Sequence, residues 1–256
     1  MLNSQRSMIT FSLCLFACLA NDPISNGQES NGQELDPLKA YREVSAKWEK
    51  DIAAFEEKDK SEIADKSSIL CLGSSSIRRW HATMAQDLAP WPVVGRGYGG
   101  AKFSDLAIYA PRLLAAHHPR GVLIYVGNDI VDNPEQDKTP EELVRLFGIV
   151  VAAVKKQVPN AEIFAVAISP SPKRFGAWSQ IQRANQQIKA FCEKDAKLHF
   201  IETYPAYLTA DGQPRSELFV EDQVHQSDDG YKIWSGIIRT EFERVFGSPN
   251  STSSPN

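Results

Sequence analysis

Cysteine is scarce in this chain, four in 256 residues, and two of the four, Cys14 and Cys18, fall within the first twenty positions. The other two, Cys71 in an apolar run and Cys192 in a helical one, make no disulfide framework. With no C-x-x-C pair and no His-rich cluster, the sequence offers no metal site. The adjacent His117 and His118 point in different directions on a helix or a strand, and both are expected at the surface. Cationic clusters are lacking too. The 28 Lys and Arg against 32 Asp and Glu give a net charge of -4. No basic run is long enough to track phosphates, so no nucleic-acid partner is expected.

Long apolar runs are also missing. The stretch from Met8 to Ala20 is too short to span a bilayer, so no transmembrane segment is expected. Preceded by Arg6, it has the layout of an export signal, and residues 1–20 are expected to be a signal peptide of an exported (periplasmic or secreted) protein. Cys18 and Ala20 are the small residues at the -3 and -1 sites. Leu15-Phe16-Ala17-Cys18 is an imperfect lipoprotein box that leaves lipidation at Cys18 open.

Residues 21–35 are mostly Asn, Gln, Ser, Gly and acids, too polar to repay their ordering entropy, and are expected to be a disordered tether. A single domain is expected over 36–247, followed by a small polar tail, 248–256. In that tail Asn250-Ser251-Thr252 fits a glycosylation sequon. Tyr41, Val44, Trp48, Ile52 and Phe55 recur at three- and four-residue steps, which predicts an amphipathic helix docked on the domain. Apolar runs at Ser68–Leu72, Gly121–Val126, Ala161–Ile168 and Leu198–Ile201 then alternate with helical periodicity, the pattern of a parallel sheet. One helix is expected from Pro140 to about Gln157, with Thr139 as cap and Glu142 completing a capping box. The last helix should follow Ser227 and bury Tyr231, Trp234, Ile237 and Ile238.

In an open parallel sheet, ligands sit beyond the carboxyl ends of the strands. Gly73-Ser74-Ser75-Ser76 follows the first run, either as hydroxyls at a helix start that could meet an oxyanion or as a Gly-Ser turn with an N-cap. Gly95-Arg96-Gly97-Tyr98-Gly99-Gly100 follows Val93-Val94; it fits backbone N–H groups approaching a ligand, and equally a flexible loop. It lacks the order of a dinucleotide fingerprint. Gly127-Asn128-Asp129 follows the next run, where Asn128 could donate to an oxyanion and Asp129 brace the loop, or the pair could be turn chemistry. Near the C-terminus Asp222 precedes His225 by three residues. A tight turn there could place the carboxylate on one imidazole nitrogen and free the other for a serine proton.

Taken together and in this order, the four segments resemble the four signature blocks of the SGNH (GDSL-like) hydrolases. With Gly-Ser-Ser-Ser-Ile and Trp80 the chain is similar to the platelet-activating-factor acetylhydrolase catalytic subunits of that family. The resemblance implies a three-layer α/β/α sandwich with a parallel sheet, flavodoxin-like, preceded by the amphipathic helix. It implies Ser75 as nucleophile with Asp222 and His225, and an oxyanion hole from the Ser75 and Gly100 N–H groups and Asn128. No metal or other cofactor is implied, and the partner is a small-molecule or carbohydrate ester. Two departures stand out: Ser74 replaces the family's Asp, and Val126 occupies the glycine position of the third block, or one residue is missing before Asn128. The expected activity is esterase, with a carbohydrate O-acetyltransferase or a non-catalytic glycan-binding module as alternatives.

Overall fold

A computed structural model describes residues 36–248. The expected signal peptide, the tether, the sequon and the tail beyond Ser248 lie outside the described residues. From the N-terminus the elements are α1 (Lys39–Ser45), a 3₁₀ turn (Ala46–Trp48), α2 (Glu49–Lys58), β1 (Ile69–Gly73), α3 (Ser75–Trp80), α4 (Met84–Asp87) and β2 (Val93–Gly97). There follow α5 (Phe103–Leu114), β3 (Gly121–Tyr125), α6 (Pro140–Gln157), β4 (Glu162–Val166) and a 3₁₀ segment (Pro172–Ala177). The chain closes with α7 (Trp178–Cys192), β5 (Leu198–Ile201) and α8 (Asp228–Phe246).

All strand pairs are parallel, in the order β2-β1-β3-β4-β5. Their continuous apolar sequences follow from burial on both faces, because successive side chains leave on opposite sides. Leu70, Leu72, Val122 and Ile124 join Ile52, Leu106, Phe147 and Ile181 from α2, α5, α6 and α7. Ile69, Cys71, Leu123 and Phe164 join Trp80, Met84, Trp234 and Phe242 from α3, α4 and α8. Each fully buried Leu, Ile or Phe here contributes roughly 1.5–3 kcal/mol of transfer free energy. The three-layer α/β/α sandwich is therefore the fold, with the N-terminal helical segment as its prefix. The strand order reverses between β1 and β3, so a crevice opens beyond their carboxyl ends.

Several expectations are corrected. The N-terminal segment is two α-helices joined by a 3₁₀ turn, and this change of winding shifts its stripe: Val44 is 63% exposed and Ser45 is buried instead. Ser45 Oγ donates to Asp105 Oδ1 at 2.5 Å and its carbonyl accepts from the Tyr109 hydroxyl. Thr139 caps α6, its Oγ1 accepting from the Glu142 N–H at 3.2 Å. The Glu142 carboxylate, however, turns to Arg145 and the Tyr41 hydroxyl rather than closing a capping box.

His117 is buried, not on the surface, while His118 is exposed. Its Nδ1 accepts from the Ala64 N–H at 3.0 Å, so Nε2 carries the proton and faces Asp59 Oδ1 at 3.2 Å. The Gly95–Gly97 stretch is strand β2 rather than loop. A Cβ at Gly95 would lie 2.4 Å from the His81 ring and one at Gly97 2.5 Å from the Arg78 backbone nitrogen, so these glycines let α3 press against the sheet edge. Between them Arg96 is buried, bonded to Asp59 and Glu62.

Candidate active site

Gly73 ends β1, and the chain reverses there against its neighbour strand. A Cβ at Gly73 would stand 2.1 Å from the Tyr125 carbonyl oxygen, which itself accepts the Ser74 N–H at 3.1 Å. Only glycine fits that approach. The turn puts Ser75 at the first position of α3, half-buried at the carboxyl end of the sheet, while Ser74 and Ser76 are buried to either side.

The partner arrives from the other end of the chain. Between Val220 and α8 the backbone makes a tight turn, with Gln223 in the left-handed region at φ 55° and the Val220 N–H donating to the His225 carbonyl at 2.9 Å. Asp222 Oδ1 accepts the N–H groups of Val224 and His225, both at 2.9 Å, which fixes the carboxylate. Its Oδ2 lies 2.6 Å from His225 Nδ1, and His225 Nε2 lies 2.7 Å from Ser75 Oγ. An ionised carboxylate only accepts, so Nδ1 holds the imidazole proton and the bare Nε2 accepts from the serine hydroxyl. Burial works to raise Asp222, but the His225 and Val224 donors outweigh it and hold the carboxyl at about 2. Arg79 Nη2 also reaches Oδ2, at 3.3 Å. The Tyr231 hydroxyl donates to the Ser76 carbonyl at 2.8 Å and locks α8 to α3.

Asn128 follows β3 and shares the cleft beside Ser75 with Ser169, Ser171, Arg174 and Val224. Its Nδ2 donates to the Ala101 carbonyl at 3.0 Å. Asp129 braces this loop from within: buried, it accepts the Phe103 N–H at the start of α5 at 2.9 Å and lies 3.2 Å from Lys138 Nζ. Burial pushes the Asp129 carboxyl up. Gly100 takes a left-handed conformation, φ 74°, in the turn after β2, next to Trp48. Ser75 and Asn128 thus line one cleft, Asp222 and His225 join it through the hydrogen bond to Ser75, and Gly100 stands next to Ala101, whose carbonyl accepts from Asn128.

Arg174 was not singled out by sequence reasoning. It comes from the 3₁₀ segment after β4 and donates to the Gly127 carbonyl at 2.5 Å and Asn128 Oδ1 at 2.9 Å. The signal for it was positional: the Ser169–Trp178 loop also leaves the carboxyl end of a strand.

Residues 65–233 match the sequence profile described as the GDSL-like lipase/acylhydrolase family. No curated protein matches the chain. Among solved structures, a GDSL-like lipase from Bacteroides thetaiotaomicron is similar at 17% identity and a TM-score of 0.62, over 78% of this chain and 98% of its own. A carbohydrate esterase of family 3 from Talaromyces cellulolyticus is similar at 16% identity and a TM-score of 0.51, over 71% and 97%. The catalytic domain of a peptidoglycan O-acetyltransferase from Streptococcus pneumoniae, carrying a methylsulfonyl adduct, is similar at 16% identity and a TM-score of 0.53, over 73% and 98%. At these identities the likenesses speak for the fold.

Proposed function

Because the chain belongs to the GDSL-like lipase/acylhydrolase family of ester-hydrolysing enzymes, we propose that it is a serine esterase removing a short acyl group from a carbohydrate or small soluble ester. The observation that carries this is the unbroken relay from Asp222 through His225 to Ser75, at 2.6 and 2.7 Å. In the first step Ser75 Oγ attacks the ester carbonyl carbon while its proton passes to His225 Nε2. The carbonyl electron pair becomes an oxyanion, met by the Ser75 and Gly100 N–H groups and the Asn128 amide. Collapse breaks the bond to the alkoxide, which takes the proton from Nε2 and leaves as an alcohol. Water repeats the sequence on the acyl-serine, releasing the acid. The reaction needs no metal or other cofactor.

A short acyl group suits the lining of the cleft, where Ile168, Val224 and Tyr125 stand among the polar residues Ser169, Ser171 and Arg174. Residues 1–20 are proposed to export the enzyme, which places its substrate outside the cytoplasm.

The test is turnover of p-nitrophenyl acetate, butyrate and octanoate by the purified protein, with and without a sugar acceptor. Acetate cleaved fastest and acid as the main product are expected. A dominant acetylated sugar would instead identify a transferase, and binding of glycan without turnover of any ester would overturn the enzymatic reading.

A further inference from the structure

Asn128 is the side-chain donor of the proposed oxyanion hole, and its block departs from the family pattern, so what holds its amide in place matters. A primary amide has two orientations related by a flip, and they are chemically opposite: one turns NH₂ to a given neighbour, the other turns the carbonyl oxygen to it. Here the neighbours discriminate. The Ala101 carbonyl can only accept and faces Nδ2 at 3.0 Å; the Arg174 guanidinium can only donate and faces Oδ1 at 2.9 Å. A flip would set oxygen against oxygen and NH₂ against a cation. With one Nδ2 hydrogen on Ala101, the second is left on the amide.

Arg174 is well suited to this. Its second donor group bonds the Gly127 carbonyl at 2.5 Å, so the guanidinium grips two consecutive residues of the block after β3. Both acceptors are neutral, and among the described residues Arg174 forms no ion pair. Burial accordingly works against its charge and draws its pKa down. A cation hydrogen-bonded to an amide oxygen draws electron density from the amide nitrogen and makes the remaining N–H a stronger donor. The segment that carries Arg174 is itself anchored at the triad turn, since the Lys173 N–H donates to the Gln223 carbonyl at 3.1 Å, next to Asp222. At its other end a Cβ on Gly176 would lie 2.2 Å from the Asp132 carboxylate, so the segment also packs on the loop after Asp129.

We infer that Arg174 is a positioning residue for the oxyanion site: it holds and polarises the Asn128 amide in the orientation that leaves an N–H for the substrate oxygen, and couples that amide to the Asp222–His225 turn. The inference rests on Asn128 being an oxyanion donor. Arg174 itself touches neither Ser75 nor His225 by hydrogen bond.

The test is a double-mutant cycle on p-nitrophenyl acetate turnover, with kcat and KM measured separately and each variant's melting curve recorded. Asn128→Ala is expected to lower kcat by about 10² to 10³ with KM little changed. Arg174→Met is expected to lower kcat by at least about tenfold, but by less than Asn128→Ala, with KM within about twofold of wild type. In the Asn128→Ala background it should cost less than about twofold more, because its target is gone. Arg174→Lys, which keeps charge without the paired donors, should fall between Arg174→Met and wild type, and serves as the measured variant if Arg174→Met does not fold. Guanidinium ion added at about 50 mM should restore part of kcat to Arg174→Ala but not to Arg174→Ala with Asn128→Ala. Equal kcat losses from Arg174→Met in both backgrounds, or a rise in KM alone, would overturn the inference and make Arg174 a direct substrate contact. A wild-type kcat in Asn128→Ala would instead overturn the oxyanion role of Asn128, and the inference with it.

Discussion

Asp59→Ala should destabilise the protein severely, because it strands a buried cation. Arg96 is 1% exposed and makes five hydrogen bonds: two to Asp59 Oδ1 at 2.6 and 2.8 Å, one to Glu62 Oε2, one to the Glu62 carbonyl and one to the Gly95 carbonyl. Of its two anionic partners only Asp59 is buried, at 5% exposure against 53% for Glu62. Removing one partner of a buried pair costs about 3–5 kcal/mol, since the remaining charge keeps its desolvation penalty. His117 Nε2 also loses the carboxylate it faces. For a domain of this size each kcal/mol moves the melting temperature by about 2–4 °C, so a fall of roughly 6–20 °C is expected by thermal melting followed by circular dichroism. Arg96→Met with Asp59→Leu should recover much of that loss, since neither charge is left behind. A fall below about 3 °C for Asp59→Ala, or a double variant that loses the sum of both single losses, would refute the account of this clasp.

Ser75→Ala should reduce esterase activity by several powers of ten, and a sulfonyl fluoride adduct should map to Ser75; an adduct on Ser74 or Ser76 would reassign the nucleophile. Asp222, held at about 2, stays ionised through most of the acid range, so its carboxylate keeps its bond to the imidazole as pH falls. Asp222→Asn should lower kcat by at least about a hundredfold, because the imidazole loses the partner that fixes its tautomer and orientation; full activity in the variant would separate Asp222 from His225. His81 is drawn down to about 4, first by burial and then by Lys58 and Arg96, and its Nε2 accepts the Gly97 N–H at 3.3 Å. The unfolded chain therefore takes up this proton first, and stability should fall as pH drops from about 6.5 to about 4, by at most about 3 kcal/mol and less for a half-buried ring. His81→Gln should flatten that part of the curve of melting temperature against pH, and an unchanged slope would show that His81 does not carry it.

The fold was legible wherever one physical requirement dominated. Strands buried on both faces must be apolar throughout, and the runs around Ile69–Leu72 and Val122–Tyr125 were readable for that reason. The strand Val93–Gly97 was hidden, because its pattern is set by a neighbour and not by burial in hydrocarbon: glycines admit α3 and His81, and Arg96 is buried through charge pairing. No periodicity rule distinguishes such a strand from a glycine-rich loop. The same clasp explains the error at His117, whose burial depends on Asp59, nearly sixty residues away. Val44 and Ser45 exchanged places because a single 3₁₀ turn rotates the stripe, and nothing in the local sequence marks where α-winding tightens.

The site was legible to the degree that its parts are sequence-local. Asp222 and His225 are three apart, and the carboxylate builds the turn that brings it to the ring, so the pair announces itself. The hydrogen bond to Ser75 spans 150 positions and follows from topology, since β1 and the last turn before α8 both end at the same edge of the sheet. Asn128 could be named from its position but not oriented, because an amide's direction is set by what stands on either side of it. Those neighbours, Ala101 and Arg174, come from two other loops. The departure in the third block then has a physical reading. Where the block has lost a glycine or a residue, Arg174 supplies a donor to both Gly127 and Asn128, so the shape of that loop is held by a side chain from the next crossover rather than by its own backbone. Sequence motifs record backbone solutions well; a solution that borrows one arginine from forty-six residues away leaves no motif behind.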